Sequence, residues 1–379
     1  MTYPPQLKLG FIGGSIYSAI GTTHKIASQM DGYFRLHAGS FSRDKEVNLQ
    51  TAKTWRVNHV FDSYHAMFQK IQNQEITLDA VVILTPTDMH EEPILEALDQ
   101  SIPVICEKTL TDSLASAQTI SEKVKETKGF LVTTYNYTGY PMLRELRSMI
   151  QQNKLGKIIQ IQAKMPQESF IRLDEHGHIP QPQAWRLEDK HISKLSLDLG
   201  THLTNMIHFL TQESITEVVA LGSSFGHHPV MDNIATLAKL TNDIDCHIWY
   251  TKSALGHTNG LSIEVYGTEG SVFWEQLNPE VLQYNDNRGR IISLDRASKG
   301  VTVAREERYN RFKSGHPAGF IEAFANYYED IYHALLEFKD HGTFTSPYVF
   351  GMESSLEEIQ VMHAIERSIQ QKQWVTVTY

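Results

Sequence analysis

The chain has 379 residues, with 34 Lys and Arg against 44 Asp and Glu, a formal net charge of −10. At about 150 residues per domain this predicts two domains, and an acidic chain without a long basic run argues against nucleic acid or an anionic membrane as partner. A hydrophobic share of 41% and an aromatic share of 10% suit a folded globular protein, and no apolar run approaches the roughly 18 residues of a membrane helix. The first eight residues carry Pro4 and Pro5 and no apolar core, so no signal peptide is read there. Cys106 and Cys246 lie in apolar stretches and make neither a disulfide framework nor a zinc site. They read as buried thiols of a reducing compartment, so a cytoplasmic location is expected, with no metal.

Up to about Asn136 the chain alternates strands and helices. Leu7 to Gly13 is an apolar strand ending in glycine, followed by a helix over Ile20–Met30 and a strand over Phe34–Phe41. Asp44 to Trp55 reads as a helix with Asp44 as its N-cap. Leu78 to Leu84 and Ile102 to Cys106 are continuous β-branched runs of the kind buried in a parallel sheet. Helices are expected over Pro93–Leu98 and over Ser113–Lys128, the latter stopped by Gly129, and a strand over Phe130–Tyr135. This repeated grammar predicts a doubly wound parallel sheet over residues 1–136. Beyond it, Ile158–Lys164 reads as a strand and Leu199–Leu210 has helical apolar spacing. Strands then follow one another from Glu217 to Arg296, including a hairpin over Ile263–Gln276. Strands without intervening helices predict an α+β second domain over 137–351, with late helices at Phe320–Lys339 and Glu353–Gln371.

Four places carry chemistry. The turn Gly13-Gly14-Ser15-Ile16-Tyr17-Ser18-Ala19-Ile20-Gly21 follows the first strand, where a dinucleotide fold needs glycines so that the backbone can approach a pyrophosphate. Its spacing departs from G-x-G-x-x-G, and an ordinary strand-to-helix turn is the alternative. At the end of the second strand an NAD site usually carries an acidic residue on the ribose; here Ser42 and Arg43 stand there, a pair compatible with a 2′-phosphate, the alternative being a solvated arginine beside a helix cap. Lys108 ends a buried strand in Cys106-Glu107-Lys108-Thr109, and its ammonium either faces a substrate oxygen or snorkels to solvent. Asp198 and His202 are four apart, one helical face, where a carboxylate orients an imidazole for general base work; the alternative is a surface pair. His316, in Gly315-His316-Pro317, precedes a helix with an aromatic face.

Together these residues resemble the Gfo/Idh/MocA family of glucose–fructose oxidoreductase and inositol dehydrogenase relatives, over nearly the whole chain. The marks are Gly21-x-x-His24, Thr85-Pro86-x-x-x-His90, Glu107-Lys108, Tyr135-Asn136-Tyr137, Trp185-Arg186, Asp198-x-Gly200-x-His202 and Gly267-Thr268-Glu269-Gly270, in this order and spacing. The resemblance implies an N-terminal Rossmann domain and a C-terminal domain with a large, open, mostly antiparallel sheet. The last helix, about 352–372, would pack back on the Rossmann domain. Lys108 would hold the reacting hydroxyl, His202 would be the general acid/base and Asp198 would orient it. Gly13, Gly14, Ser15, Ile16, Tyr17, Ser42 and Arg43 would bind NAD or NADP, with Thr85, Pro86, His90, Glu107 and Asn136 along its nicotinamide and ribose. Tyr137, Trp185, Arg186 and His316 would join Lys108, Asp198 and His202 around the substrate. Three departures stand out: Thr109 replaces the family's usual proline, often preceded by a cis bond; Ile192 to Leu197 replaces a glycine-rich stretch; and Ser15 takes the second glycine position.

The resulting expectation is an NAD(P)-dependent dehydrogenase oxidising a secondary hydroxyl of a sugar or cyclitol, inositol 2-dehydrogenase-like, acting as a homodimer or homotetramer by family analogy. A glycosidase using bound NAD for transient oxidation, or a non-catalytic NAD(P)-sensing regulator, are the alternatives.

Overall fold

The computed structural model describes residues 5–182 and 187–379. The chain divides into two units, Met1–Gly139 with Phe320–Leu356, and Tyr140–Gly319 with Glu357–Tyr379.

The first unit runs β1 (Leu7–Gly13), α1 (Ala19–Gln29), β2 (Phe34–Ser40), α2 (Lys45–Trp55), β3 (His59–Val60), α3 (Tyr64–Gln72), β4 (Ala80–Leu84), α4 (Glu91–Asp99), β5 (Val104–Glu107), α5 (Leu114–Thr127) and β6 (Leu131–Thr134). The strands form a parallel sheet in the order β3-β2-β1-β4-β5-β6. All five residues of β4 are buried, because helices cover both faces of such a sheet. Val81, Ile83, Val104 and Leu131 pack there against Ile94 and Leu98 of α4 and Ile120 of α5. Asp44 caps α2 as its position predicts, its Oδ1 accepting the amides of Glu46 and Val47 at 2.9 and 3.1 Å. α5 ends one residue earlier than expected: Lys128, not Gly129, takes the left-handed conformation, with φ 51°.

The strand order reverses between β1 and β4, and a ligand of an open α/β sheet binds off the carboxyl ends at such a point. Here Gly13 pairs with Leu84, Cys106 with Ile83, and Glu107 with Thr134. One sheet edge therefore carries the glycine turn, Thr85, Lys108 and Asn136.

The second unit contains α6 (Pro141–Gln151), β7 (Ile158–Pro166), α7 (Thr201–Thr211), β8 (Ile215–Ser223), β9 (Asn233–Leu240), β10 (Asp245–Thr251), β11 (Ser262–Gly267), β12 (Gly270–Glu275), β13 (Leu282–Asp286) and β14 (Ile291–Leu294). Then come α8 (Phe320–His341) and β15 (Phe350–Gly351), which belong to the first unit, α9 (Met352–Gln371), and β16 (Val375–Thr376). β15 adds an antiparallel edge to β6. The second sheet has nine strands, β14-β13-β12-β11-β7-β10-β9-β8-β16. Its pairs are antiparallel except β7 with β10. α9 begins in the first unit's core through Met352 and Leu356, and from Glu357 it belongs to the second.

Candidate active site

The turn after β1 is shaped by two glycines. Gly13 and Gly14 have φ of +79° and +70°, a region that L side chains avoid. A Cβ on Gly21 would lie 2.0 Å from the Gly14 carbonyl oxygen, so α1 begins against the turn's own backbone. Ser18 caps α1 by accepting the Gly21 amide at 3.2 Å. This close approach leaves a helix N-terminus, with its partial positive charge, next to a backbone that a pyrophosphate can reach. Ser15 and Ile16 are half-buried and Tyr17 is exposed. The Ile16 amide donates to Thr51 Oγ1 at 3.3 Å, and the Tyr17 hydroxyl to Gln50 Oε1 at 3.2 Å, so both are anchored to α2.

At the end of β2 the Ser42 hydroxyl accepts the Asp44 amide at 3.1 Å. Asp44 Oδ1 is committed to its helix. Arg43 is exposed, its guanidinium 2.9 Å from Met89 Sδ. This strand end therefore presents an exposed cation that suits a 2′-phosphate.

Beyond β4, Pro86 is exposed and Thr85 Oγ1 donates to the Met89 carbonyl at 3.3 Å. His90 is buried, with Nε2 2.8 Å from the Thr85 carbonyl and Nδ1 3.1 Å from the carbonyls of Thr109 and Leu110. It ties the turn after β4 to the segment after β5, and burial pulls its pKa below the ordinary 6.5. Between those carbonyls runs the Lys108 segment, whose Lys108–Thr109 peptide is cis. Lys108 itself is half-buried. Glu107 is buried, its Oε1 accepting from Thr134 Oγ1 at 2.7 Å. Asn136 is 5% exposed, and its Nδ2 has no hydrogen-bond partner among the described residues. A buried amide N–H is costly to leave unpaired, so this donor on the cofactor edge marks a place for a polar ligand group. Glycine cradle and orphan donor together fit a dinucleotide. Tyr137 is buried edge-on to Phe320 at 5.9 Å.

In the second unit, Asp198 lies in a π-helical turn, Ser196–Gly200, that runs straight into α7. Such turns recur at functional sites. Glu366 holds this one by accepting the Ser193 amide at 3.0 Å and the Ser196 hydroxyl at 3.1 Å. His202 follows in the first turn of α7 and is 7% exposed. The Asp198 carboxylate meets a residue that the sequence reading missed: Lys252 Nζ lies 2.5 Å from Asp198 Oδ2. Lys252 follows β10 directly. Its amide donates to the Asp232 carbonyl at 2.8 Å, its carbonyl accepts the Phe170 amide at 2.9 Å, and its ammonium passes 5.1 Å from the centre of the Phe170 ring. The signal that singled out Lys108, a lysine ending a continuously buried strand, is weaker for Lys252, because β10 alternates buried and exposed residues. His228 packs edge-on to the same Phe170 ring at 5.1 Å. Its Nε2 is buried without a hydrogen bond among the described residues.

His316 is exposed and its carbonyl accepts Arg296 Nη2 at 2.8 Å. Trp185 and Arg186 lie outside the described residues. No group of three or more His, Cys, Asp and Glu that could hold a metal gathers among the described residues, and no helix there is long and apolar enough to cross a membrane.

The chain is 29% identical over 344 residues to the uncharacterized oxidoreductase YfiI of Bacillus subtilis (strain 168), covering 85% of this chain and 84% of that one. It is 26% identical over 272 residues to glucose-6-phosphate 3-dehydrogenase of the same organism, covering 66% and 75%. An inositol dehydrogenase homolog complexed with NADH and myo-inositol, from Azotobacter vinelandii, shares the fold with a TM-score of 0.88 at 23% identity, over 98% of this chain and 97% of that one. Residues 7–135 match the oxidoreductase family with an NAD-binding Rossmann fold, and residues 143–273 match the GFO/IDH/MocA C-terminal domain. With the glycine cradle in the first stretch and the open sheet in the second, the chain belongs to the GFO/IDH/MocA family of NAD-binding oxidoreductases.

Proposed function

We propose that this oxidoreductase oxidises a secondary hydroxyl of a sugar or cyclitol, with inositols as the first substrates to test. The observation that carries the reading is the buried His202 one turn beyond Asp198, whose carboxylate is itself held by the Lys252 ammonium. A buried imidazole one helical turn from a held carboxylate is a pairing suited to general base work. Bound NAD(P) supplies the hydride acceptor. His202 takes the hydroxyl proton, and Asp198, four residues before it, is assigned to orient the ring. Lys108, half-buried at the end of β5, is assigned to stabilise negative charge as it develops on the reacting oxygen. Gly13, Gly14 and Gly21 allow the pyrophosphate to approach, and Asn136 supplies a buried amide donor. The sugar-phosphate relative and the inositol-bound fold neighbour support the substrate class.

The test is a panel of inositols and aldoses with NAD and with NADP, followed by NADH or NADPH absorbance. His202→Ala and Lys108→Ala are expected to lower kcat by about 10²–10⁴-fold while NADH affinity stays near that of the wild type. A panel without turnover, or near-wild-type rates in both variants, refutes the reading. Glycoside cleavage without net NADH would point instead to transient oxidation.

A further inference from the structure

Immediately before Lys108, a buried polar chain joins four elements of the first unit. His24 of α1 and Thr134 of β6 are 0% exposed, Tyr328 of α8 is 1% and Glu107 of β5 is 8% exposed. The Tyr328 hydroxyl lies 2.6 Å from His24 Nδ1, and His24 Nε2 lies 3.3 Å from Glu107 Oε1. Phe324 and Tyr328 pack on the imidazole edge-on, with ring centres at 4.6 and 5.7 Å.

Hydrogen-bond accounting fixes the direction of this chain. Burial, and then the charge of Glu107, keep the Tyr328 phenol protonated, well above its ordinary range. Its hydroxyl hydrogen needs an acceptor, and its partner among the described residues is His24 Nδ1. Nδ1 therefore offers its lone pair, and the ring proton sits on Nε2, facing the carboxylate. A ring protonated on both nitrogens would aim N–H at O–H in a dry interior and leave the phenol hydrogen unplaced, a costly arrangement. Glu107 Oε1 thus receives two donors, His24 Nε2 and Thr134 Oγ1. Oε2 has no recorded hydrogen bond among the described residues, so one oxygen is fixed and the other is available. The same His24 stands on α1, the helix that opens behind the glycine turn.

We propose that Tyr328 and His24 are positioning residues of the cofactor site. They hold Glu107 by Oε1, present Oε2 as an acceptor for a hydroxyl of the bound dinucleotide, and tie α1 to the strand end that carries Lys108. The proposal rests on the reading of Glu107 and Lys108 as lining that site.

Wild type, His24→Leu, His24→Gln and Tyr328→Phe are titrated with NADH by fluorescence, and the His24 ring is followed by long-range proton–nitrogen correlation. The wild type is expected to show one neutral tautomer with the proton on Nε2, and Tyr328→Phe to lose that single form. The Kd for NADH is expected to rise about tenfold in His24→Leu, the effect of one lost hydrogen bond to a charged group. His24→Gln keeps an N–H donor and should bind NADH more tightly than His24→Leu. Should His24→Leu fail to fold, Tyr328→Phe, which removes a single hydroxyl, carries the test through its tautomer change and a smaller rise in Kd. A wild-type proton on Nδ1 overturns the proposal, as does a fall in Tm with unchanged Kd in every variant. A wild type that does not bind NADH refutes the cofactor-site reading, and the proposal with it; unchanged binding in the variants of an NADH-binding wild type refutes the proposal alone.

Discussion

Lys252→Met tests whether the Asp198 carboxylate is held by a charge. The two members of the pair are unequally buried: the Lys252 side chain is 7% exposed and that of Asp198 is 29%. Removing one partner of a buried pair costs about 3–5 kcal/mol when the survivor is cut off from water. Asp198→Asn leaves the ammonium in that position, so its cost should fall near the lower figure, about 3 kcal/mol. Lys252→Met leaves a carboxylate that water reaches, and its cost should be about 1 kcal/mol. The double variant removes both charges, so its cost should fall short of the sum of the singles by about 2 kcal/mol, within the range of coupling energies for residues in contact. Urea unfolding of the four proteins at neutral pH gives the cycle. Additive costs, or a Lys252→Met that is the more damaging single change, would refute the reasoning. The cycle also bears on catalysis. If Lys252 steadies the carboxylate, Lys252→Met should lower kcat with little change in NADH affinity.

Gly21→Ala should abolish or weaken NADH binding at least tenfold at a stability cost of about 1–3 kcal/mol, because its Cβ would meet the Gly14 oxygen, carbonyl carbon and Cα at 2.0, 2.4 and 2.6 Å, all of them backbone; titration with wild-type affinity would show that the turn does not receive the pyrophosphate. Arg43→Ala should weaken NADP more than NAD, since Arg43 is an exposed cation at this strand end; equal losses would place the 2′-phosphate elsewhere. His90 is held below its ordinary 6.5 by burial, so the unfolded chain takes up the proton first as pH falls. Its contribution is full above pH 6.5 and declines below it, by up to about 1.4 kcal/mol per pH unit, until the folded site protonates too. Urea titrations at stepped pH should show a flatter acid limb in His90→Gln; an unchanged slope would assign it to other histidines with lowered pKa, such as the half-buried His37 and His363.

Much of the first unit was legible because its signals are local. The apolar run Leu7–Gly13 is β1 to the residue, Asp44 caps α2, and the β-branched runs read at Leu78–Leu84 and Ile102–Cys106 hold the buried parallel strands Ala80–Leu84 and Val104–Glu107, each starting two residues later. Strand period, cap chemistry and a glycine at positive φ each depend on a few neighbouring residues, so composition and order decide them. α6 was missed although Met142, Leu143, Leu146, Met149 and Ile150 recur at helical spacing; what no local pattern shows is that Arg144, Glu145 and Arg147 on its polar positions are buried as well. The reason lies far away in the chain, where Tyr309 receives Arg144 at 2.7 Å and the amides of Thr302, Val303 and Ala304 converge on Glu145. α3 and the two-residue β3 were missed for want of a periodic run long enough to read.

The candidate site divides in the same way. The sequence by itself determined the residue types: a glycine turn, a lysine ending a strand, and an acid and a histidine four apart. Tertiary structure alone decided their partners. Lys252 reaches Asp198 across 54 residues, from just beyond the strand that pairs in parallel with β7. Tyr328 reaches His24 across 304 residues. The physical reason is that a buried charge or donor is paired by whatever the fold brings within hydrogen-bond distance, and strand register and helix docking set that distance over chain separations on which no local pattern bears.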